Sequence, residues 1–402
     1  MIKKILKFVL IFLILLGIFL FVLVNSNTII GRDLRFGDAN VNHYKVFPYH
    51  TIITSEPYFQ FEINYSEELV KDTFRDIQYG NNERIGELDI FLEKTKTSSF
   101  IVIKDDKIIF EKYYNDYDRD SIVTSFSIAK SFTSALIGIA IDEGYINSLY
   151  DPITDYIPEL KERDERFSQI KIIDLLHMSS GIKYDSSVDD RNTYYAADLR
   201  KLAIEKTQIE SNPGRRFEYN NYHPLLLGII LERATKQPVS VYLQEKIWKP
   251  IGMEYNGSWS TDEYDFEKME SGINCRAIDF AKFGRLYLRD GNWDGMQIIS
   301  NEWIKLSTES YFPDAQGYYP DVSFFRDRPV YYSLMWWGVK RDENSYDFFA
   351  LGNFGQFIYL SPDKDLIIVR NGMDYGEGME NGDIDWWPII FYEFSNRLQD
   401  SS

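Results

Sequence analysis

The chain has 402 residues, and 44 Lys plus Arg against 62 Asp plus Glu give a formal charge of −18. With 44% hydrophobic and 26% charged residues it is composed like a globular protein, which excludes wholesale disorder. The acidic balance excludes nucleic acid as a partner, since phosphates require a basic surface. A single cysteine, Cys275, leaves no internal disulfide. The four histidines (His43, His50, His177, His223) contain no His-Glu-x-x-His run, so neither a Cys/His metal site nor the common zinc peptidase signature is present. The length allows one large two-lobed domain or two to three small ones. Aromatic residues make up 16%, enough for a large core and a ring-rich substrate surface.

Lys3, Lys4 and Lys7 precede an unbroken apolar run, Phe8 to Val24. Seventeen helical residues span roughly 26 Å, and Ile5, Leu6 and a snorkelling Lys7 bring the segment to bilayer thickness. No Ala-x-Ala follows, although Val24-Asn25-Ser26 is a poor cleavage site, so residues 1–27 read as a membrane anchor in preference to a cleaved signal. Lysines on the inside place the remainder outside the cytoplasm, periplasmic or extracellular. Residues 28–97 are Pro-punctuated and weakly periodic, an irregular lead-in.

Phe100–Ile103 and Lys107–Phe110 around a polar turn predict a β-hairpin. From Thr124 the period becomes helical. Ser127 to Ile141 is apolar on nearly all sides, predicting a fully buried helix stopped near Gly144. Further helices are expected at Leu225–Ala234, Val241–Ile247, Ala277–Leu288 and Trp386–Leu398. Strands are expected at Tyr331–Trp337, Phe348–Leu351, Gln356–Leu360 and Leu366–Arg370. Strands at both ends with helices between imply an α+β chain: one antiparallel sheet from distant segments, flanked by helices, with a helical lobe inserted. Residues 98–398 form that domain.

Ser127-Ile128-Ala129-Lys130 opens the buried helix. The i, i+3 spacing sets the hydroxyl and the ammonium one turn apart on one face. The helix start adds free N–H groups and the positive end of the macrodipole. A lysine in an apolar pocket has a lowered pKa and can accept the serine proton, which makes a nucleophile without histidine. No Gly-x-Ser-x-Gly elbow supports a histidine triad, and His223 is left as a residue that could line the pocket. Tyr219, before a helix and two residues ahead of Asn221, can shuttle a proton while the amide orients the lysine or the substrate. Gly352 and Gly355 interrupt strand-like sequence around Asn353, and glycine in a strand marks a close backbone approach, as an oxyanion hole at a strand edge requires. Cys275 reads as a small buried hydrophobe.

In this order, and with Ile173–Gly181 and Cys275–Tyr287 as further landmarks, the segments resemble the serine β-lactamase and penicillin-binding protein superfamily over residues 98 to 395. The match is closest to the class C branch, with its esterases and 6-aminohexanoate-dimer hydrolases. The resemblance implies a β-lactamase-like fold, Ser127 as nucleophile, Lys130 and Tyr219 as its partners, Asn221 as the Tyr-x-Asn amide, and the N–H groups of Ser127 and Asn353 as oxyanion donors. Where β-lactamases carry Lys-Thr-Gly or His-x-Gly, this chain has Ala350-Leu351-Gly352, without the cation and hydroxyl that hold a β-lactam carboxylate. The expected activity is therefore hydrolysis of a small-molecule ester or linear amide through an acyl-enzyme, with no metal and no cofactor. β-Lactamase or D,D-peptidase activity is the first alternative, and an acylatable membrane sensor without turnover is the second.

Overall fold

The computed structural model describes residues 2–79, 83–309, 330–374 and 386–398. Helix α1 (Ile2–Val24) has 23 residues, about 35 Å at 1.5 Å per residue, more than a bilayer core near 30 Å. None of its side chains is buried against the domain. It begins earlier than the apolar run because Lys3, Lys4 and Lys7 are themselves good helix formers. A short helix, α2 (Ile29–Phe36), follows.

The strands that frame the site are β1 (Tyr49–Ile52), β2 (Glu62–Ile63), β3 (Thr97–Lys104), β4 (Lys107–Tyr113), β5 (Val123–Thr124), β6 (Gly257–Ser260), β7 (Ile273–Cys275), β8 (Val330–Ser333), β9 (Trp336–Lys340), β10 (Tyr346–Gly352), β11 (Gln356–Ser361) and β12 (Leu366–Gly372). Eight of them form one sheet in the order β8-β9-β10-β11-β12-β3-β4-β2. Every pairing in it is antiparallel except β2 with β4. The seam between the chain's two ends is β12 on β3, with Val369 opposite Ile101 and Ile367 opposite Ile103. Strands β3, β11 and β12 are buried along their whole length, so both faces of the sheet must be covered.

The principal covering helices are α3 (Ile128–Asp142), α4 (Ser186–Tyr195), α5 (Tyr222–Thr235), α6 (Ala277–Leu288) and α7 (Trp386–Arg397). Helices α3 and α6 lie on the sheet, and Phe132 stacks on Phe283 between them at 3.7 Å. On α7, Phe391 sits 5.5 Å from the rings of Phe357 and Tyr359 in β11. Helices α4 and α5 belong to the inserted lobe, beside a second sheet ordered β1-β6-β7-β5. This is the expected α+β sandwich with a helical insertion.

Three expectations need correction. The stretch 28–97 is not irregular: besides α2, β1 and β2 it carries helices Glu67–Phe74 and Leu88–Lys94 and contributes Ile52, Val70, Phe74 and Leu92 to the core. Its elements are too short for a hydrophobic period to show. Tyr331–Trp337 is not one strand but the hairpin β8–β9, turned at Leu334 and Met335 with φ of 36° and 71°. Apolar residues replace the Asn-Gly that normally signals such a turn. Val241–Ile247 splits into an α-turn, Val239–Leu243, and a π-turn, Gln244–Trp248.

Candidate active site

Ser127 is the residue just before α3, and its partly exposed hydroxyl makes no capping bond to the helix. Phe126, immediately ahead, has φ 42°. That left-handed conformation is costly for a bulky residue and is tolerated where tertiary packing over-determines it. Here the Phe126 ring packs edge-on against Phe354 at 5.1 Å.

One turn along, Lys130 is 1% exposed. Its Nζ lies 2.8 Å from Ser127 Oγ and donates to the carbonyl of Glu270 at 2.9 Å. No carboxylate oxygen lies within ion-pairing reach of Nζ among the described residues. Burial lowers the lysine pKa to about 7, only partly offset by the more distant charges of Glu270 and Asp190.

Tyr219 is half-buried, 6.0 Å from Trp337 in a stacked arrangement, with Lys130 Nζ 5.0 Å from its ring centre. Burial raises the phenol above its ordinary value, and a hydrogen bond with Ser127 pulls it back. Hydroxyl, amine and phenol therefore meet at one point, from α3 and from the loop before α5. Asn221 does not touch the lysine. Its Nδ2 donates to Tyr184 Oη at 2.9 Å and Asp190 Oδ1 at 3.0 Å, and its buried Oδ1 has no protein partner. The amide is free to face a substrate, not to orient Lys130.

At the end of β10, Gly352 approaches the backbone so closely that a Cβ there would collide with the Ser125 carbonyl oxygen. Asn353 follows, then Phe354 and Gly355 turn with φ of 61° and 72°. The turn is clamped from behind by Arg370, which is fully buried and donates to Gly355 O at 2.6 Å, Thr95 O at 2.7 Å and Thr97 Oγ1 at 3.1 Å. Desolvation alone lowers its pKa, to about 9. Ser127, Tyr219, Asn221 and Asn353 open on one cleft of about 470 Å³.

His223 is turned away from that cleft. Its Nε2 is 2.6 Å from Ser180 Oγ and its Nδ1 is 3.1 Å from Met178 Sδ, and burial lowers its pKa to about 3. His177 is likewise lowered to about 3 by burial. Cys275 is buried and free in β7. Among the described residues no cluster of His, Cys, Asp or Glu is arranged to hold a metal ion.

Reading the sequence did not single out Glu270, Asp190 or Arg370. Glu270 precedes the Cys275–Tyr287 landmark without a pattern of its own, and Asp190 lies in a polar helix. Arg370 did carry a signal, a charge closing an otherwise apolar strand.

The Beta-lactamase family profile matches residues 92–374. The chain belongs to the beta-lactamase family. A 6-aminohexanoate-dimer hydrolase of Paenarthrobacter ureafaciens is 24% identical over 303 residues, covering 71% of this chain and 75% of that protein. Protein flp of Staphylococcus aureus MW2 is 31% identical over 299 residues, 68% of this chain but 58% of that protein, so the chain spans less than two thirds of this relative. Among solved structures, a Bacillus anthracis protein provisionally assigned as a 6-aminohexanoate-dimer hydrolase superposes with a TM-score of 0.73 at 23% identity, covering 89% and 93% of the two chains. An octameric penicillin-binding protein homologue from Pyrococcus abyssi gives 0.53 at 21%, covering 71% of each. These likenesses establish the β-lactamase-like fold, and the family is one of serine hydrolases.

Proposed function

We propose that the protein hydrolyses esters or linear amides through an acyl-enzyme on Ser127. The observation that carries this reading is Lys130, 2.8 Å from the serine hydroxyl, desolvated and without a carboxylate partner among the described residues. With its pKa near 7, a large share of the amine is neutral at physiological pH and able to take the Ser127 proton as Oγ attacks the carbonyl. The N–H groups of Ser127 and Asn353 receive the oxyanion. Tyr219, bonded to Ser127, hands a proton to the leaving alcohol or amine. A water then gives its proton to the same pair and releases the acid. Asn221, with an unused buried acceptor in the cleft, binds the substrate. The substrate is a small molecule. The N-terminal helix holds the catalytic domain at the membrane, outside the cytoplasm.

Penicillins are the poorer substrates in this reading. Ala350, Leu351 and Gly352 offer neither cation nor hydroxyl to a β-lactam carboxylate, and a charge-assisted hydrogen bond of roughly 1.5–3 kcal/mol corresponds to about ten- to a hundredfold. A fluorophosphonate probe and a fluorescent penicillin, each applied to the wild type and Ser127→Ala, test both points. The phosphonate is expected to label Ser127 and nothing in the variant, with aryl esters turned over at least tenfold faster than nitrocefin. A label on another serine overturns the mechanism. Comparable nitrocefin and ester rates overturn the substrate preference.

A further inference from the structure

The cleft is not built from the catalytic domain alone: Asp33, Asp38 and Ala39, from the segment directly after α1, share its wall with Ser127 and Tyr219. The link between α1 and α2 has no slack. Arg35 Nε donates to Val24 O at 3.0 Å and Nη2 to Ser26 O at 2.7 Å, closing the joint back onto the end of α1. Ser26 Oγ donates to Leu23 O at 2.7 Å, Thr28 Oγ1 accepts from Gly31 N at 3.1 Å, and a Cβ at Gly31 would collide with Leu23 O.

The other side of α2 is locked to the catalytic domain. Arg32 is 1% exposed, paired with Glu263 and 5.7 Å from the Phe47 ring. Asp33 faces Arg191 of α4 at 3.7 Å, and His43 Nδ1 lies 3.1 Å from Tyr194 Oη on the same helix. Four extended residues and five helical ones put Asp33 at most about 21 Å from Val24. Ile30 and Leu34, one turn apart on one face of α2, are each 55% exposed, an apolar edge one short link after α1.

We infer that α2 fixes the mouth of the cleft at the bilayer surface, and that the substrate is an ester or amide carried on the polar head of a membrane amphiphile. This rests on the anchor and Ser127 readings above. A buried Arg32 and a stapled joint are needed only if the orientation of the domain over the membrane matters, since a tether alone is satisfied by a flexible linker. Carboxylates of Asp33, Asp38, Asp190 and Glu270 against Arg191 disfavour an anionic group beside the scissile bond. The chemistry is unchanged: the acyl carbon of the ester or amide passes to Ser127 Oγ, the alcohol or amine bonded to it leaves with the serine's proton, and water returns the free acid.

The test uses the full chain in phosphatidylcholine vesicles, with a 4-nitrophenyl ester on the uncharged head of a long-chain amphiphile and the same ester without its tail. Twelve Gly/Ser residues inserted between Asn27 and Thr28 leave both helices intact but add roughly 19 Å of flexible reach. The insertion is expected to cut turnover of the vesicle-borne ester at least fivefold and leave the soluble ester within twofold. A fluorophore on Leu34→Cys, with native Cys275 buried, is expected to be quenched by head-group nitroxide lipid in the parent, and less than half as much after insertion. Equal turnover of both esters by parent and inserted chains, or an unquenched label, overturns the inference. Failure of the underlying readings is seen separately, as release by a high-salt wash or loss of phosphonate labelling at Ser127.

Discussion

Two buried helical lysines each stand three residues after a polar partner, and they differ in the charges around them. Lys282, on α6, is fully buried with its Nζ 3.3 Å from Asp279, 3.7 Å from Glu254 and 3.0 Å from the Gly252 carbonyl. Lys130, on α3, has a serine in place of the aspartate and, among the described residues, no carboxylate within ion-pairing reach. Burial lowers the pKa of both, but Asp279 and Glu254 pull Lys282 back up, whereas Lys130 falls to about 7. One lysine is a structural counter-ion and the other is the base of the proposed mechanism. The i, i+3 spacing is common to both, so the difference lies in the partner and in what the rest of the fold brings near.

The sharpest way to break this contrast is to remove the paired cation. Lys282→Met leaves Asp279 in the core without its cation, while Glu254 keeps Arg119 at 2.6 Å, and is expected to cost about 3–5 kcal/mol in urea unfolding. Full stability in that variant would mean that the pair contributes nothing.

Next in size, Lys130→Arg keeps the charge but cannot accept a proton. It should lose about a hundredfold or more in acylation rate with the fold intact. In the wild type, kcat/KM should rise with pH through about 7, because the neutral amine is the active form. Stability should rise too between about pH 7 and the lysine's unfolded value near 10.4, since the unfolded state holds the proton there and the folded state does not. Lys130→Met should abolish that added slope in urea titrations.

Arg370 is a further buried cation, held by carbonyls and a hydroxyl with no carboxylate among the described residues. Arg370→Lys loses the fork that spans Gly355, Thr95 and Thr97, and is expected to lower kcat about tenfold with KM nearly constant, because it positions the Asn353 turn and does not touch substrate. A parallel rise in KM would move Arg370 from positioning to binding. The smallest effect is on stability in Ser127→Ala. A capping serine would cost about 0.5–2 kcal/mol, but this hydroxyl caps nothing, so a change within about 0.5 kcal/mol is expected by thermal unfolding.

Much of the site was legible because its chemistry is local. Ser127 and Lys130 lie one turn apart on a helix whose all-round apolarity announces its burial, and Tyr219 and Asn221 lie beside the turn that opens α5. Gly352 carried its message in a missing Cβ. The role offered to Asn221 was half legible, since the residue faces the cleft but its amide bonds Tyr184 and Asp190, neither near it in sequence.

The sequence by itself determined the helices and strands with strong periods, the apolar N-terminal helix, and the candidate nucleophile with its lysine, because burial pattern and spacing are properties of neighbouring residues. Only the tertiary structure decided that Lys130 has no carboxylate among the described residues while Lys282 has Glu254 as well as Asp279, that Arg370 backs the Asn353 turn, that His223 points away from the cleft, and that Asp33, Asp38 and Ala39 form part of its wall. Apart from the i, i+3 pair Asp279–Lys282, these depend on groups well over ten residues apart. Electrostatic state follows from which charges burial brings within a few ångströms, and no local pattern in the chain encodes those distances.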